Sequence, residues 1–390
     1  MKINKIFSLL FVCCLVLSGC QKDIEETDDE ILVAPLKTGD YGYSLPYADS
    51  TTSVIHNKYS GNKKDVYNMG EQALELAKPY FNPKTTYVSE GLVLDSSELE
   101  RFDTSYRGLG LLKFKTEYNP EGLNPEKGNF IESGTGIDMY NAILVSDVHE
   151  IDFKDKNGEY VGFQFIIVLN ENVSYLAAQT NEDGTVMTDE TGKVVLEENR
   201  RTAKISTDQL YNYGSIEAGQ RLVNYLRNNH PEVGNLPIQV LLYKTTSSDS
   251  MLNGTFIGQS YVTNRASTTY EVIKQEWVFA PSSRLNDLDS VLASQIQSVK
   301  SKLFENWPNE VGFYGKVFFE DNMASEIELE INMRGKTYVE IQSLIQYLIQ
   351  LMPTISNDST KLNVHVLSDG QTIAIIQRDV DSEKVELIIL

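Results

Sequence analysis

The spacing of apolar and polar positions changes several times along the chain, and each change marks an element. The first apolar stretch runs from residue 6 to residue 17, interrupted only by Ser8, behind the basic Lys2 and Lys5. A membrane-spanning helix needs about 20 apolar residues, so a run this short predicts the core of a secretory signal. Residues 20–60 show neither a helical nor a strand period. "QKDIEETDDE" is acidic and "TGDYGYSLPYADSTTS" is rich in turn formers, which predicts a flexible tether. Tyr41, Tyr43 and Tyr47 offer the means to pin that segment to a folded body. Steps of three and four then link Met69, Ala73, Leu76, Ala77 and Tyr80, which predicts an amphipathic helix ended by Pro79 and Pro83. "TTYVSEGLVL" reads as a strand, "SSELERF" as a short helix and "EYNPEGLNPEKGN" as a loop.

Beyond residue 142 the pattern occurs twice. In the first copy, 143–262, the strands "AILVSDVHEIDF" and "YVGFQFIIVLN" flank a turn at Asn157 and Gly158. A polar meander follows, then a helix over 207–228 with Ser206 as its cap. Its apolar face carries Leu210, Tyr213, Leu222 and Leu226, and Gly214 is a weak point. "LPIQVLLYK" and a strand from Thr255 complete the unit. In the second copy, 311–390, "FYGKVFFED" and "SEIELEINM" turn around Asn322. A helix begins with Thr337 and Glu340 as a capping box and carries Ile341, Leu344, Ile345 and Leu348. "LNVHVL" and "TIAIIQR" form a hairpin, and "VELIIL" adds a last strand. Each copy predicts an antiparallel sheet packed on one helix, giving an α+β fold of two tandem related repeats. Residues 61–142 form an N-terminal α/β segment packed on the first repeat. Residues 263–310 connect the repeats through a helix marked by Leu288, Leu292, Ile296, Val299 and Leu303.

Charge narrows the class. Lys plus Arg number 34 against 55 Asp plus Glu, a net −21. Such a balance argues against nucleic-acid partners and against a domain lying on anionic lipid. The three cysteines, Cys13, Cys14 and Cys20, all lie in the first twenty residues. Leu17-Ser18-Gly19-Cys20 resembles a bacterial lipobox, in which the cysteine thiol takes a diacylglyceryl group and the chain is cut just before it. The expected mature chain therefore starts at Cys20, with cleavage between Gly19 and Cys20 and with 1–19 as signal peptide. Cys20 then anchors the protein at the extracytoplasmic face of the cell membrane. Cys13 and Cys14 leave with the signal, so no internal disulfide is expected.

From about residue 60 onward, "NPEGLNPEK", "GFQFIIVLNENVSYL", "LPIQVLLYK", "WVFAPS", "GFYGKVFFED" and "LSDGQTIAII" occur in an order and at separations that resemble the CamS family of bacterial lipoproteins. The resemblance implies an extracellular lipid-anchored protein with two related repeats. It also implies that the signal contains a short apolar sex-pheromone peptide lying directly before the lipidated cysteine. That position here holds Cys13, Cys14, Leu15, Val16, Leu17, Ser18 and Gly19; the two cysteines stand where the family has aliphatic residues.

Motifs of catalysis are missing. There is no Walker loop, no G-x-S-x-G elbow and no H-E-x-x-H, and Gly108-Leu109-Gly110 lacks the third glycine of a dinucleotide loop. "DFKDKNGEY" puts Phe153 and Gln164 where a calcium loop needs charged oxygens, so it reads as a hairpin turn. His56, His149, His230 and His365 are far apart and share no ligand spacing, which predicts no metal site. Glu326, Glu328 and Glu330 alternate with apolar residues and project from one strand face at steps of about 6.6 Å. That spacing falls in the range of inverting glycosidases, but catalytic pairs come from different elements, so a solvated strand face is expected. The sequence thus predicts a non-enzymatic CamS-type lipoprotein without a cofactor, whose signal releases the apolar peptide. The alternative is an anchored protein capturing an envelope peptide or wall glycan in a groove between the repeats. A wall hydrolase ranks last.

Overall fold

The fold comes from a computed structural model that describes residues 25–27, 30–35, 37–45, 50, 52–59, 63–100, 109–247, 249–264, 268–308, 311–382 and 384–390. Three short strands lead: β1 (Glu25–Thr27), β2 (Glu30–Val33) and β3 (Gly42–Leu45). The helices α1 (Ser53–Tyr59) and α2 (Lys63–Ala77) follow, then β4 (Tyr87–Glu90) and the single-turn α3 (Ser96–Leu99). A loop region holds β5 (Phe114–Lys115), β6 (Asn124–Glu126) and β7 (Phe130–Glu132). The long hairpin β8 (Asp138–Lys154) and β9 (Tyr160–Leu176) turns at Gly158, whose φ of 81° favours glycine. After β10 (Arg201–Lys204) come α4 (Thr207–Tyr213), a π-helical turn (Gly214–Ala218) and α5 (Gly219–Asn229). Next are β11 (Ile238–Lys244), β12 (Thr255–Val262), β13 (Glu271–Val272) and β14 (Gln275–Phe279). The rest comprises α6 (Ser283–Leu288), α7 (Ser290–Asn306), β15 (Val311–Glu320), β16 (Met323–Met333) and α8 (Tyr338–Leu351), then β17 (Lys361–Ser368), β18 (Gln371–Arg378) and β19 (Glu386–Ile389). Among the described residues no helix is long and apolar enough to cross a membrane.

The first sheet runs β1-β2-β3-β4-β8-β9-β11-β12-β13, with β7 beside β8 and β10 beside β9; the second runs β14-β15-β16-β17-β18-β19. Both contain a hairpin, a helical crossover and a second hairpin. The predicted antiparallel sheets are corrected on one point. β11 pairs parallel with β9, Ile238 opposite Phe163, and β17 pairs parallel with β16, Leu362 opposite Ile327. The reason is geometric. A helix that follows a strand and lies back across the sheet returns the chain to the strand's starting end, so the next neighbouring strand points the same way.

Two cores result. α4, the π turn and α5 cover one face of the first sheet, where Leu210, Leu222 and Leu226 meet Phe165, Ile167, Val240 and Leu242. The weak point at Gly214 is where the helix changes hydrogen-bond register. A Cβ there would lie 3.0 Å from Leu169 and Leu242 side-chain carbons, so the glycine lets the helix sit close on the sheet. α2 covers the opposite face with Met69 and Ala73 against Ile166, Val168, Leu241, Tyr243 and Phe256. Buried glutamines fix it: Gln164 donates to the Ala73 carbonyl and Gln239 to the Leu76 carbonyl, each at 2.9 Å. In the second sheet, Leu344, Ile345 and Leu348 of α8 and Ile296, Val299 and Leu303 of α7 close over Ile327, Leu329, Val364 and Ile376.

The segment read as a flexible tether departs from that reading where it is described. β2 and β3 join the first sheet through the parallel pair of β3 and β4. Tyr41 is buried, donates its hydroxyl to the Phe81 carbonyl at 2.6 Å and packs on Phe153. Tyr43 is half exposed, and Tyr47 lies outside the described residues. An aromatic side chain with a buried partner outweighs the turn-forming composition around it.

The sheets meet through a very short link. Only Ile273 and Lys274 separate β13 from β14, and both are tied: Ile273 N–H donates to the Ile257 carbonyl at 3.1 Å, and Asp321 N–H donates to the Lys274 carbonyl at 2.9 Å.

Candidate functional site

On β8, side chains alternate between faces, so Asp147, His149 and Ile151 share the face that carries α2. α1 passes over the same face and brings in His56, 91 positions from Asp147 in the chain. His56 Nδ1 lies 2.8 Å from Asp147 Oδ2, and His149 Nε2 lies 3.3 Å from the same oxygen. The two imidazoles stack with centroids 4.0 Å apart and planes 14° from parallel. The other ring nitrogen of His56 is held by Thr52 Oγ1 at 2.8 Å, and Thr52 is bonded in turn to Ser50 Oγ. The expectation that the histidines do not meet is therefore corrected for His56 and His149. Sequence distance hid the contact. The available signal was the D-x-H step on a strand, which puts Asp147 and His149 on one face.

Burial pushes the Asp147 carboxyl up, but hydrogen bonds and charge from His149 and His56 more than offset it and hold the group at about 2. Nearby on β4, Glu90 is pushed up by burial and partly pulled back by both histidines and by Ser50. On the other face of β8 lies a second acid pair, Asp152 fully buried and Glu150 partly so. Glu150 accepts from the Val93 and Leu94 amides and Asp152 from the Leu92 amide, and burial together with the neighbouring Glu150 raises Asp152.

Asp147 and His149 form one end of a groove of about 740 Å³ between the α2 face of the first sheet and β14 of the second. Its walls include Asp65, Glu171, Lys204, Lys244, Thr245 and Trp277. Asp65 accepts from the Tyr243 hydroxyl and the Gly254 amide; burial raises its carboxyl and these bonds counter that. Trp277 stacks on Phe318, and Lys316 Nζ sits 4.2 Å from the Trp277 ring while pairing with Glu328 at 3.1 Å. The Trp277 indole Nε1 is buried and has no hydrogen-bond partner among the described residues.

The remaining candidates separate. The solvated face expected for Glu326, Glu328 and Glu330 is half-buried instead. Lys361 and Asn363 hold Glu326 at 3.6 and 2.8 Å, Lys316 holds Glu328, and burial raises Glu326. Side chains of the neighbouring strands β15 and β17 shield this face, a tertiary effect that strand alternation does not reveal. His230 pairs with Glu98 at 2.8 Å and Glu232 at 3.1 Å, away from the groove, and His365 stands on β17 opposite Glu330. Asp155 Oδ1 accepts from the Asn157 and Glu159 amides, so "DFKDKNGEY" is the hairpin turn expected. Cys13, Cys14, Leu15, Val16, Leu17, Ser18, Gly19 and Cys20 lie outside the described residues.

Comparison with solved structures gives two close matches in fold. A sex pheromone precursor from Lactobacillus salivarius subsp. salivarius UCC118 superposes with a TM-score of 0.71 at 18% identity, over 92% of this chain and 98% of that one. The C-terminal domain of the sex pheromone staph-cAM373 precursor from Staphylococcus aureus gives 0.60 at 18% identity, over 85% of this chain and 98% of that one. No curated protein matches the sequence. A family model described as "CamS sex pheromone cAM373 precursor" matches residues 47–384. With most of its length under that match and its mixed α+β sheets shared with those structures, the chain belongs to the CamS sex pheromone precursor family.

Proposed function

We propose that the chain is exported and anchored through Cys20 at the extracytoplasmic face of the cell membrane, and that its folded body is a non-enzymatic binding protein for an envelope peptide. The observation that carries this reading is the groove, whose wall includes Trp277 with an indole N–H that is buried and partnerless among the described residues. A buried donor without an acceptor costs about 1–3 kcal/mol; a side-chain turn that brings this N–H to the groove would let a ligand carbonyl recover that cost. Charges of both signs, from Asp65, Glu171, Lys204 and Lys244, suit a peptide backbone with mixed side chains. A glycan would be gripped by exposed aromatic faces, whereas Tyr243 and Trp277 are both buried.

The basic residues, apolar run and lipobox of 1–20 support the anchor, and dual acylation makes such anchoring stable where one chain is marginal. The description of the family as a pheromone precursor supports release of the peptide from Cys13 to Gly19. Lipoprotein processing would make its C-terminal cut at Gly19. The shared order of strand pair, helix and strand pair in the two sheets supports a duplicated ancestral unit. The binding reading is tested by titrating the mature chain with cell-wall peptide fragments and, separately, with wall glycan fragments, following heat and tryptophan emission. Peptide binding that weakens tenfold or more in Trp277→Phe is the expected result. Binding of neither class, or peptide binding indifferent to Trp277→Phe, would refute it.

A further inference from the structure

We propose that His56, Asp147 and His149 bind a divalent transition-metal ion of the zinc class at the end of the groove. The donor set comes first. Two imidazole nitrogens and one carboxylate oxygen form the borderline combination that zinc takes, with one position left for a water or a ligand atom. The three donor atoms lie within 4.8 Å of one another. The Asp147 oxygen is 2.8 and 3.3 Å from the two nitrogens. A tetrahedral ion with bonds near 2.05 Å requires donors about 3.3 Å apart, so the side chains stand close to the needed separation before any ion arrives.

The supporting shell is built as well. Metal-binding histidines are oriented by a partner on their second nitrogen, and His56 has one in Thr52 at 2.8 Å. Thr52 is bonded to Ser50, and Ser50 to the Glu90 carboxylate, so a chain of polar groups ends on a negative charge. Asp147 Oδ1 accepts from the Val148 amide at 2.9 Å, which leaves Oδ2 to face both histidines. Thr52 and Ser50 are buried, so these contacts are shielded from competing water.

Access and charge complete the argument. Asp147 and His149 line the groove, so the fourth position faces the space where a ligand carboxylate or carbonyl can reach the ion. The stacked imidazoles, 4.0 Å apart, both face the single Asp147 carboxylate oxygen, and one divalent ion among them would attract all three groups. Coordination requires the nitrogen lone pairs to converge, so the rings splay from their parallel stack and α1, only seven residues long, shifts with His56. The inference stands without the peptide-binding reading, because ion uptake is measured with no ligand present.

The test uses the expected mature chain without its lipidated first residue, residues 21–390, stripped with a chelator and titrated with Zn2+ in competition with a chromophoric chelator. Co2+ is used in parallel as a spectroscopic substitute. One Zn2+ per chain and an intense visible Co2+ band of a four-coordinate site are expected. His56→Ala and His149→Ala should each weaken uptake at least 100-fold, and Thr52→Val by roughly 10–100-fold. His365→Ala, on β17 of the second sheet, should leave uptake unchanged. Circular dichroism without metal establishes that each variant folds; if either alanine variant does not, the Co2+ spectrum of the wild-type chain decides. Absence of stoichiometric uptake overturns the proposal. So does a pale six-coordinate Co2+ spectrum, or wild-type affinity in both folded alanine variants.

Discussion

Replacing Leu348 with alanine asks whether the two sheets unfold as one body. Leu348 is fully buried between α8 and the strands of the second sheet. Truncating a buried leucine costs about 2–5 kcal/mol, the larger values arising where the cavity cannot collapse. Leu348 is enclosed by Leu344, Ile345, Ile327 and Val364, so about 3 kcal/mol is a fair central value. The shift in melting temperature depends on how much chain melts with it. Unfolding entropy is about 2.1 cal/mol/K per residue, so the roughly 115 residues from Gln275 onward melting alone carry about 0.24 kcal/mol/K, and the shift is about 12 °C. If the roughly 370 residues from position 20 onward melt together, the same cost moves the midpoint by only about 4 °C. Hydrogen bonds between the two sheets and the shared groove favour the smaller value: Phe256 N–H on β12 donates to Gln275 Oε1 on β14 at 3.0 Å, and the Tyr314 hydroxyl on β15 donates to the Met251 carbonyl in the loop before β12 at 3.2 Å. Differential scanning calorimetry of wild type and Leu348→Ala settles it. A single transition displaced by about 4 °C is expected. A split endotherm, with only one component displaced by about 12 °C, would refute the reasoning that the sheets melt as one.

Three further outcomes are expected. His230 is raised by its hydrogen bond to Glu98 against the downward push of burial; Glu98 is pushed up by burial but held lower overall by His230 and Tyr225. The His230 contribution is full below its unfolded value of 6.5 and fades as pH rises through its raised folded value; the Glu98 contribution is present above 4.5 and fades as pH falls. The melting-temperature gap between wild type and His230→Gln should therefore be widest at mildly acid pH and shrink in alkaline buffer, and a gap that does not vary with pH would contradict this. Cys20→Ala should leave the signal uncut and abolish labelling by a radioactive fatty acid, with unchanged labelling the contrary result. Culture supernatant should contain a peptide ending at Gly19 whenever the mature lipoprotein accumulates, and mass spectrometry finding none would remove the messenger role.

Periodicity made most elements of the fold legible, because each long helix buries one stripe. The steps of three and four through Met69 and Ala73 mark the face α2 lays on the first sheet, and Thr337 with Glu340 forms the capping box that starts α8. The break between α6 and α7 was harder to read. Apolar spacing continues through Leu288 and Leu292, yet Asp289 leaves the helical path and caps the second helix through the Leu292 amide. The parallel pairs β9–β11 and β16–β17 were implicit in the strand–helix–strand order but not in any single strand, since alternation is the same in both orientations. The groove was out of reach for a different reason. His56 meets Asp147 only because α1 crosses β8, and Trp277 meets the groove only because two residues separate β14 from β13. Such contacts are set by how elements stack, and residues 56 and 147 share no local pattern that records it.

The brevity of the link at Ile273 and Lys274 has a mechanical consequence. A long linker would let the sheets drift apart or slide. A link of two residues, with its backbone pinned to β12 on one side and to the turn after β15 on the other, cannot lengthen. It can only twist. Any widening of the groove is then a rotation with its pivot at this link, and the displacement of a wall grows with its distance from the pivot. Trp277, three residues past Lys274, sits near the axis and moves little, whereas groove residues farther out sweep a wider arc. The same pivot sets a limit on the size of guest: space opens as a wedge, which admits one end of a chain molecule more readily than its middle.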